Sequence, residues 1–85
     1  MAKVEIYSTQ VCPYCVRAKD LLTRKGANFT EIRVDNNDTL RASMIERAGG
    51  RRSVPQIFIN DQHIGGCDDL YALEQANKLD ALLQA

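Results

Sequence analysis

The residues best suited to chemistry are two cysteines in the segment Cys12-Pro13-Tyr14-Cys15. Proline is well tolerated at the first position of a helix, because it lacks an N–H and its φ angle is already helical. This spacing predicts a helix that begins at Pro13, with Cys12 at its N-cap and Cys15 one turn further along. Free backbone N–H groups and the helix dipole at that end favour a thiolate over a thiol. We therefore expect Cys12 to be the nucleophile and Cys15 to resolve mixed disulfides.

Metal binding is the alternative use of such a pair. Zinc accepts thiolate and imidazole ligands, and iron–sulfur clusters bridged between two chains are held by thiolates. Pro13 and Tyr14, which lie between the cysteines, start a helix there, and this favours redox chemistry over a metal-binding turn. We therefore expect no bound metal. The side chains that could supply a zinc site are Cys12, Cys15, His63 and Cys67.

The elements around the cysteine pair have the predicted order β-α-β-α-β-β-α. A helix that connects two strands makes them parallel, and the two-residue turn Asn60-Asp61 predicts an antiparallel hairpin. We expect an α/β fold with a four-stranded mixed sheet flanked by three helices, and Cys12 at the carboxyl end of the first strand, where ligand sites cluster. The predicted strands are 3–7, 29–34, 56–59 and 62–64, and the predicted helices run from Pro13 to Gly26, from the cap cluster 35–38 to Gly49, and from Cys67 to about Leu83.

Length and composition narrow the class of protein. The chain has 85 residues, 45% of them hydrophobic, which predicts a single domain over residues 1–85. Its 11 basic residues balance 11 acidic ones, so we expect no nucleic acid partner and no binding to an acidic membrane surface. Apolar stretches are short and the N-terminus lacks a signal-peptide core. Three cysteines do not form a secreted disulfide framework, so we expect a soluble, cytoplasmic protein.

Three segments together resemble one protein family. They are Cys12-Pro13-Tyr14-Cys15 after the first strand, Ser53-Val54-Pro55 before the third, and Gly65-Gly66-Cys67-Asp68-Asp69 before the last helix. Through them the chain resembles the glutaredoxins, specifically the short bacterial dithiol type, from Val4 to about Leu83. The resemblance implies a thioredoxin-like fold and an enzyme that uses glutathione to reduce protein disulfides and protein–glutathione mixed disulfides. It further implies a monomer, and it suggests ribonucleotide reductase and other reductases as protein substrates.

The resemblance also implies a set of glutathione contacts. Tyr14 would flank the tripeptide, and Val54 would pair its backbone with the cysteinyl part as an added strand does. A cis bond between Val54 and Pro55 would leave that backbone facing the ligand. The Cys67 backbone and Asp68 would hold the γ-glutamyl end. The implied glutathione residues are Tyr14, Val54, Pro55, Gln56, Gly66, Cys67 and Asp68.

Other residues have narrower predicted roles. Gln56, together with Arg51 or Arg52, is the candidate for binding the glycine carboxylate of glutathione. The Cys67 thiol is expected to be chemically passive while its backbone binds the ligand. His63, on the predicted hairpin, is interpreted as a surface or packing residue, because nothing near it in the sequence requires a proton shuttle.

One position departs from the family pattern. Glutaredoxins commonly have lysine three residues before the first cysteine, where this chain has Thr9. We therefore expect the helix terminus to supply more of the Cys12 activation, with Arg17 or Lys19 as substitute charges. The same departure leaves open a rival redoxin that takes its electrons from thioredoxin reductase instead of glutathione.

Overall fold

The computed structural model describes residues 2–85, which form a four-stranded sheet and four helices. The strands lie in the order β2-β1-β3-β4, with β1 parallel to β2 and antiparallel to β3, and with β3 antiparallel to β4. The predicted α/β class and mixed sheet are confirmed. The elements in chain order are β1 Val4–Ser8, α1 Pro13–Arg24, β2 Phe29–Arg33, α2 Asp38–Arg47, β3 Gln56–Ile59, β4 Gln62–Gly65, α3 Cys67–Gln75 and α4 Leu79–Gln84.

The C-terminal helix differs from the prediction, because residues 2–85 contain four helices and not three. The helix that begins at Cys67 ends at its C-cap, Ala76, and a short helix follows. Asn77 lies between them with a φ of 59°, in the left-handed region that asparagine tolerates better than most residues. Leucines at helical spacing continue across this break, so hydrophobic periodicity alone did not reveal it.

The hairpin between β3 and β4 turns at Asn60 and Asp61, as predicted. Both residues have positive φ angles, 50° and 66°. Two consecutive left-handed residues match the twist of an antiparallel pair, which is why short hairpins favour this turn. The hairpin places the start of β3 and the end of β4 at the same edge of the sheet, next to the N-terminus of α3.

Helices cover both faces of the sheet, and each face has its own hydrophobic core. Successive side chains of a strand point to opposite faces, so Ile6 packs with α1 and α3 whereas Tyr7 packs with α2. The larger cluster also contains residues of α4, among them the fully buried Leu79. The carboxyl end of β1 is thereby held from both sides, and the cysteine segment follows it directly. None of the helices in the described range is long and apolar enough to cross a membrane.

The contribution of α4 to the larger core can be measured with two leucines of the same helix. Leu79 is 0% exposed, so Leu79→Ala should lower the free energy of unfolding by about 2–5 kcal/mol through the cavity it leaves. Leu82 is only partly buried, and Leu82→Ala should be clearly less destabilising. Urea denaturation followed by circular dichroism compares them. Equal losses for both variants would contradict a core that closes on Leu79.

Candidate active site

Cys12 is the N-cap residue of α1, as the sequence predicted. Its backbone is extended, with φ −153° and ψ 97°, and Pro13 occupies the first helical turn. The backbone N–H of Cys15 donates to the Cys12 sulfur over 3.1 Å. A backbone donor and the positive end of the helix both stabilise negative charge on this sulfur. The local structure therefore favours Cys12 as the thiolate nucleophile.

The sulfurs of Cys12 and Cys15 are joined in a disulfide bond. The two residues differ in accessibility, because Cys15 is 1% exposed on the inner face of α1 whereas Cys12 is only half-buried. A substrate sulfur can therefore reach Cys12 from solvent, and Cys15 can attack only from within the protein. This asymmetry suits an entry thiol and a resolving thiol.

A cleft lies beside the cysteines, between α1, the segment before β3 and the start of α3. The Val54–Pro55 peptide bond is cis, and the Val54 carbonyl oxygen lies 3.8 Å from the Cys12 sulfur. The cleft has a volume of about 260 Å³. A larger cavity, about 410 Å³, lies beside Lys25 and Leu83 and shares no lining residue with this cleft. The cleft is lined by Tyr14, Arg51, Ser53, Val54, Pro55, Gly66, Cys67, Asp68 and Asp69.

This lining brings together all of the implied glutathione residues except Gln56. The Gln56 side chain is 0% exposed, and both ends of its amide are bonded inside the protein. Of the two candidate arginines, Arg51 lines the cleft and Arg52 does not. Cys67 is buried, and burial raises the pKa of its thiol, which agrees with a chemically passive sulfur.

A set of contacts around Asp69 that the sequence reasoning missed shapes one end of the cleft. Asp69 accepts a hydrogen bond from the Gly66 N–H at 2.8 Å and forms an ion pair with Arg51 at 3.1 Å. The hydrogen bond from the Gly66 N–H, followed by the one from Arg51, lowers the pKa of this carboxyl. Gly65 has a φ of 120°, and a Cβ there would collide with the Asp69 carboxylate. The available signal was an acidic residue three positions after a helix N-cap.

The neighbouring carboxylate is arranged differently. Asp68 is exposed on the rim of the same cleft, and within residues 2–85 it takes part in no ion pair. At this helix N-terminus, the carboxylate of Asp69 caps the helix, and the carboxylate of Asp68 has no ion-pair partner within the described residues. The Asp68 charge is therefore free to meet a cationic group of a ligand.

The two candidate substitute charges lie in different surroundings. Lys19 forms an ion pair with Glu31 at 2.9 Å, so its charge is already matched. The Arg17 guanidinium lies 5.9 Å from the centre of the Tyr14 ring and 5.5 Å from that of Tyr71. Arg17 is therefore the basic side chain of this pair that stands beside the cleft wall.

The zinc alternative is not supported by the geometry. Within the described part of the chain, no three His, Cys, Asp or Glu side chains converge as a metal site. The Nε2 atom of His63 is hydrogen-bonded to Gln56 Oε1 at 2.7 Å, and the sulfur of Cys67 is buried in the larger core. The four proposed ligands are thus not brought together.

A helix-capping cysteine, a second cysteine one turn behind it and a cis-proline wall, on a mixed sheet covered on both faces, define a thiol–disulfide oxidoreductase. Comparisons with known proteins identify its family. The sequence model of the glutaredoxins matches residues 4–64, and the chain belongs to the glutaredoxin family.

Relatives and solved structures agree with this assignment. Glutaredoxin 3 of Escherichia coli is 58% identical over 84 residues, which cover 99% of this chain and 100% of that protein. A glutaredoxin of Pseudomonas aeruginosa is 58% identical over 85 residues, with both chains fully covered. The crystal structure of a buckwheat glutaredoxin–glutathione complex superposes with a TM-score of 0.89 at 32% identity, covering 98% of this chain and 77% of that one. The thioredoxin-like fold is thereby confirmed.

The different surroundings of the three thiols predict their order of alkylation. In the reduced protein at neutral pH, iodoacetamide should modify Cys12 first, because its sulfur is accessible and faces a backbone donor. Cys15 and Cys67 should react much more slowly, since both are buried. Peptide mapping by mass spectrometry gives the three rates, and the urea-unfolded protein is the control in which they should converge. Equal rates in the folded protein would contradict this assignment of the nucleophile.

The contribution of Asp69 to the free energy of unfolding should decrease at acid pH. Because the folded-state pKa of Asp69 lies below its usual value, its contribution is complete above pH ~4 and disappears as the pH falls through the lowered pKa. Asp69→Asn should lower the free energy of unfolding by about 0.5–1 kcal/mol at pH 7, a value reduced for its half-exposed side chain. Unfolding curves from pH 7 to pH 2.5 test this. A deficit that persists undiminished at the lowest pH would contradict the role of the charged carboxylate.

Proposed function

We propose that this thiol–disulfide oxidoreductase depends on glutathione and reduces both protein disulfides and protein–glutathione mixed disulfides. The observation that carries the proposal is the cleft beside Cys12, which gathers Tyr14, Val54, Pro55, Gly66, Cys67 and Asp68. A tripeptide laid along this cleft would have its sulfur next to Cys12. The buckwheat relative with a TM-score of 0.89 was solved as a glutathione complex, which supports the same use of the cleft.

Reduction of a glutathione mixed disulfide needs only Cys12. Its thiolate attacks the glutathionyl sulfur, the substrate S–S bond breaks, and the protein thiolate leaves and takes up a proton. Cys12 is then bonded to glutathione. The thiolate of a second glutathione attacks that glutathionyl sulfur, which forms oxidised glutathione and releases the Cys12 thiolate. The helix N-terminus stabilises this thiolate each time it leaves.

Reduction of a protein disulfide uses both cysteines. Cys12 attacks one substrate sulfur, and the released substrate thiolate is protonated. Cys15 then loses its proton and attacks the Cys12 sulfur, so that the second substrate thiol leaves and the 12–15 disulfide forms. Two glutathione molecules, oxidised together to their disulfide, return the pair to dithiols. A reduction potential of about −200 to −230 mV, typical of glutaredoxins, would suit this exchange.

The proposed binding mode follows the chemistry of the two ends of glutathione. The ammonium group of the γ-glutamyl end would meet the uncommitted carboxylate of Asp68, and its carboxylate would lie at the N-terminus of α3 near Gly66 and Cys67. The cysteinyl part would pair with the Val54 backbone. Arg51 also lines the cleft, but its ion pair with Asp69 lies at the α3 end that the γ-glutamyl group would occupy, so we do not assign it to the glycine carboxylate. Gln56 is left out of this set, because its side chain is fully buried.

The remaining parts of the proposal follow from the family. Residues 1–85 would act as one monomeric glutaredoxin domain in the cytoplasm, where a glutathione pool keeps thiols reduced. Its protein substrates would include reductases that form a disulfide in each cycle, with ribonucleotide reductase as the first to test.

The electron donor and the role of each cysteine can be measured together. The assay follows NADPH consumption with glutathione, glutathione reductase and an S-glutathionylated peptide. The rate with Cys12→Ser should fall to that of the uncatalysed reaction, because this substitution removes the nucleophile of both reactions. The Cys15→Ser variant should still reduce the glutathionylated peptide. A parallel assay replaces glutathione and its reductase with thioredoxin reductase. Activity that appears only with thioredoxin reductase, and that is lost in Cys15→Ser, would instead identify the rival redoxin. The loss of glutathione use would then be assigned to Thr9.

A further inference from the structure

A short chain of hydrogen bonds connects β4 with the wall of the cleft. The Gln56 side chain, 0% exposed, donates from Nε2 to the Ser53 carbonyl oxygen at 3.0 Å and to the Ser53 hydroxyl at 3.3 Å. Its other end, Oε1, lies 2.7 Å from the Nε2 atom of His63. His63 thus reaches the segment before the cis-proline through one buried amide.

The chemistry of these groups fixes the direction of every bond in the chain. A carbonyl oxygen can only accept, so the Ser53 carbonyl requires the NH₂ end of the Gln56 amide. The Gln56 oxygen is therefore the end that faces His63, and it too can only accept. His63 must consequently carry its proton on Nε2 and donate it. Gln56 has no other partner for that oxygen within residues 2–85.

The surroundings of the imidazole favour its neutral form. The ring lies against Phe58, with centroids 5.0 Å apart and planes inclined by 30°. Burial, followed by the charge of Arg51, lowers the pKa of His63, and the Asp69 carboxylate opposes this effect. A neutral imidazole has a single N–H, so the bond to Gln56 uses its only donor.

The last hydrogen bond of this series, from Gln56 to the Ser53 carbonyl, orients the backbone that faces the ligand. The Ser53 carbonyl and the Val54 N–H belong to one planar trans peptide group, so they point in opposite directions. Holding the carbonyl toward Gln56 therefore directs the Val54 N–H away from Gln56. Within the described residues this N–H makes no hydrogen bond, which leaves it for an added strand.

We infer that His63 is a positioning residue for glutathione, acting through Gln56 to hold the orientation of the Ser53–Val54 peptide group. The inference rests on the proposed function, because it concerns the Val54 backbone that would pair with the cysteinyl part of the tripeptide. Without the His63 donor, the buried Gln56 oxygen loses its partner. The amide then turns to find another, and the Ser53 carbonyl is released.

Two substitutions separate the donor from the ring. His63→Phe keeps an aromatic ring against Phe58 and removes the donor, whereas His63→Gln loses the ring and retains an amide N–H at similar reach. With the S-glutathionylated peptide, His63→Phe should raise KM roughly 3- to 10-fold, the effect of one lost buried hydrogen bond, and kcat should change less than about twofold. His63→Gln should keep KM within about twofold of the wild type. Thermal unfolding of each variant identifies the temperature range in which both are folded.

The outcomes distinguish this inference from the proposed function. A wild-type protein that does not use the glutathionylated peptide overturns the proposed function and the inference with it. A wild-type protein that does, together with His63→Phe at the wild-type KM, overturns the inference alone. Equal impairment of both variants also overturns it, because packing of the ring would then be the relevant contact.

A measurement on the unaltered protein covers the case in which His63→Phe does not fold. The chain has one histidine, so ring ¹⁵N labelling of histidine gives a single pair of signals. The expected neutral form is protonated at Nε2, with a one-bond ¹H coupling on the Nε2 signal and slow exchange of that proton with solvent. Protonation at Nδ1, or rapid exchange of the Nε2 proton, overturns the inference.

Discussion

The contact on which the site depends is the hydrogen bond from the Cys15 N–H to the Cys12 sulfur at the start of α1. It requires that the chain leave β1, turn and enter a helix within a few residues, and Pro13 makes that entry favourable. The same helical turn buries Cys15 against the core. One local geometry therefore produces both an activated outer sulfur and a protected inner one.

The cleft beside this sulfur is assembled from distant parts of the chain. The segment before β3 supplies one wall with its cis-proline, and the N-terminus of α3 supplies the other. The β3–β4 hairpin brings these two segments to the same edge of the sheet. Two successive acidic residues of α3 have different roles. Asp69 accepts a hydrogen bond from the Gly66 N–H and pairs with Arg51, whereas Asp68 faces solvent.

Local signals in the sequence were sufficient where the physics is local. The Cys12 N-cap and the Asn60–Asp61 turn were predicted because capping and tight turns depend on neighbouring residues alone. Burial of polar side chains was harder to predict than local conformation. Gln56 was expected to meet the ligand, and the fold encloses its side chain between Ser53 and His63. His63, interpreted as a surface or packing residue, packs against Phe58.

The sequence by itself determined the cysteine chemistry and the order of the first seven elements. Side-chain periodicity, a proline at a helix start and the spacing of two cysteines are properties of short segments, and short segments specify secondary structure and a capped thiol. Only the tertiary structure decided that Asp69 forms an ion pair, that Arg51 lines the cleft and that the Gln56 amide is buried. Those choices depend on burial and on partners from other elements, because a polar side chain removed from water must be hydrogen-bonded wherever the fold places it.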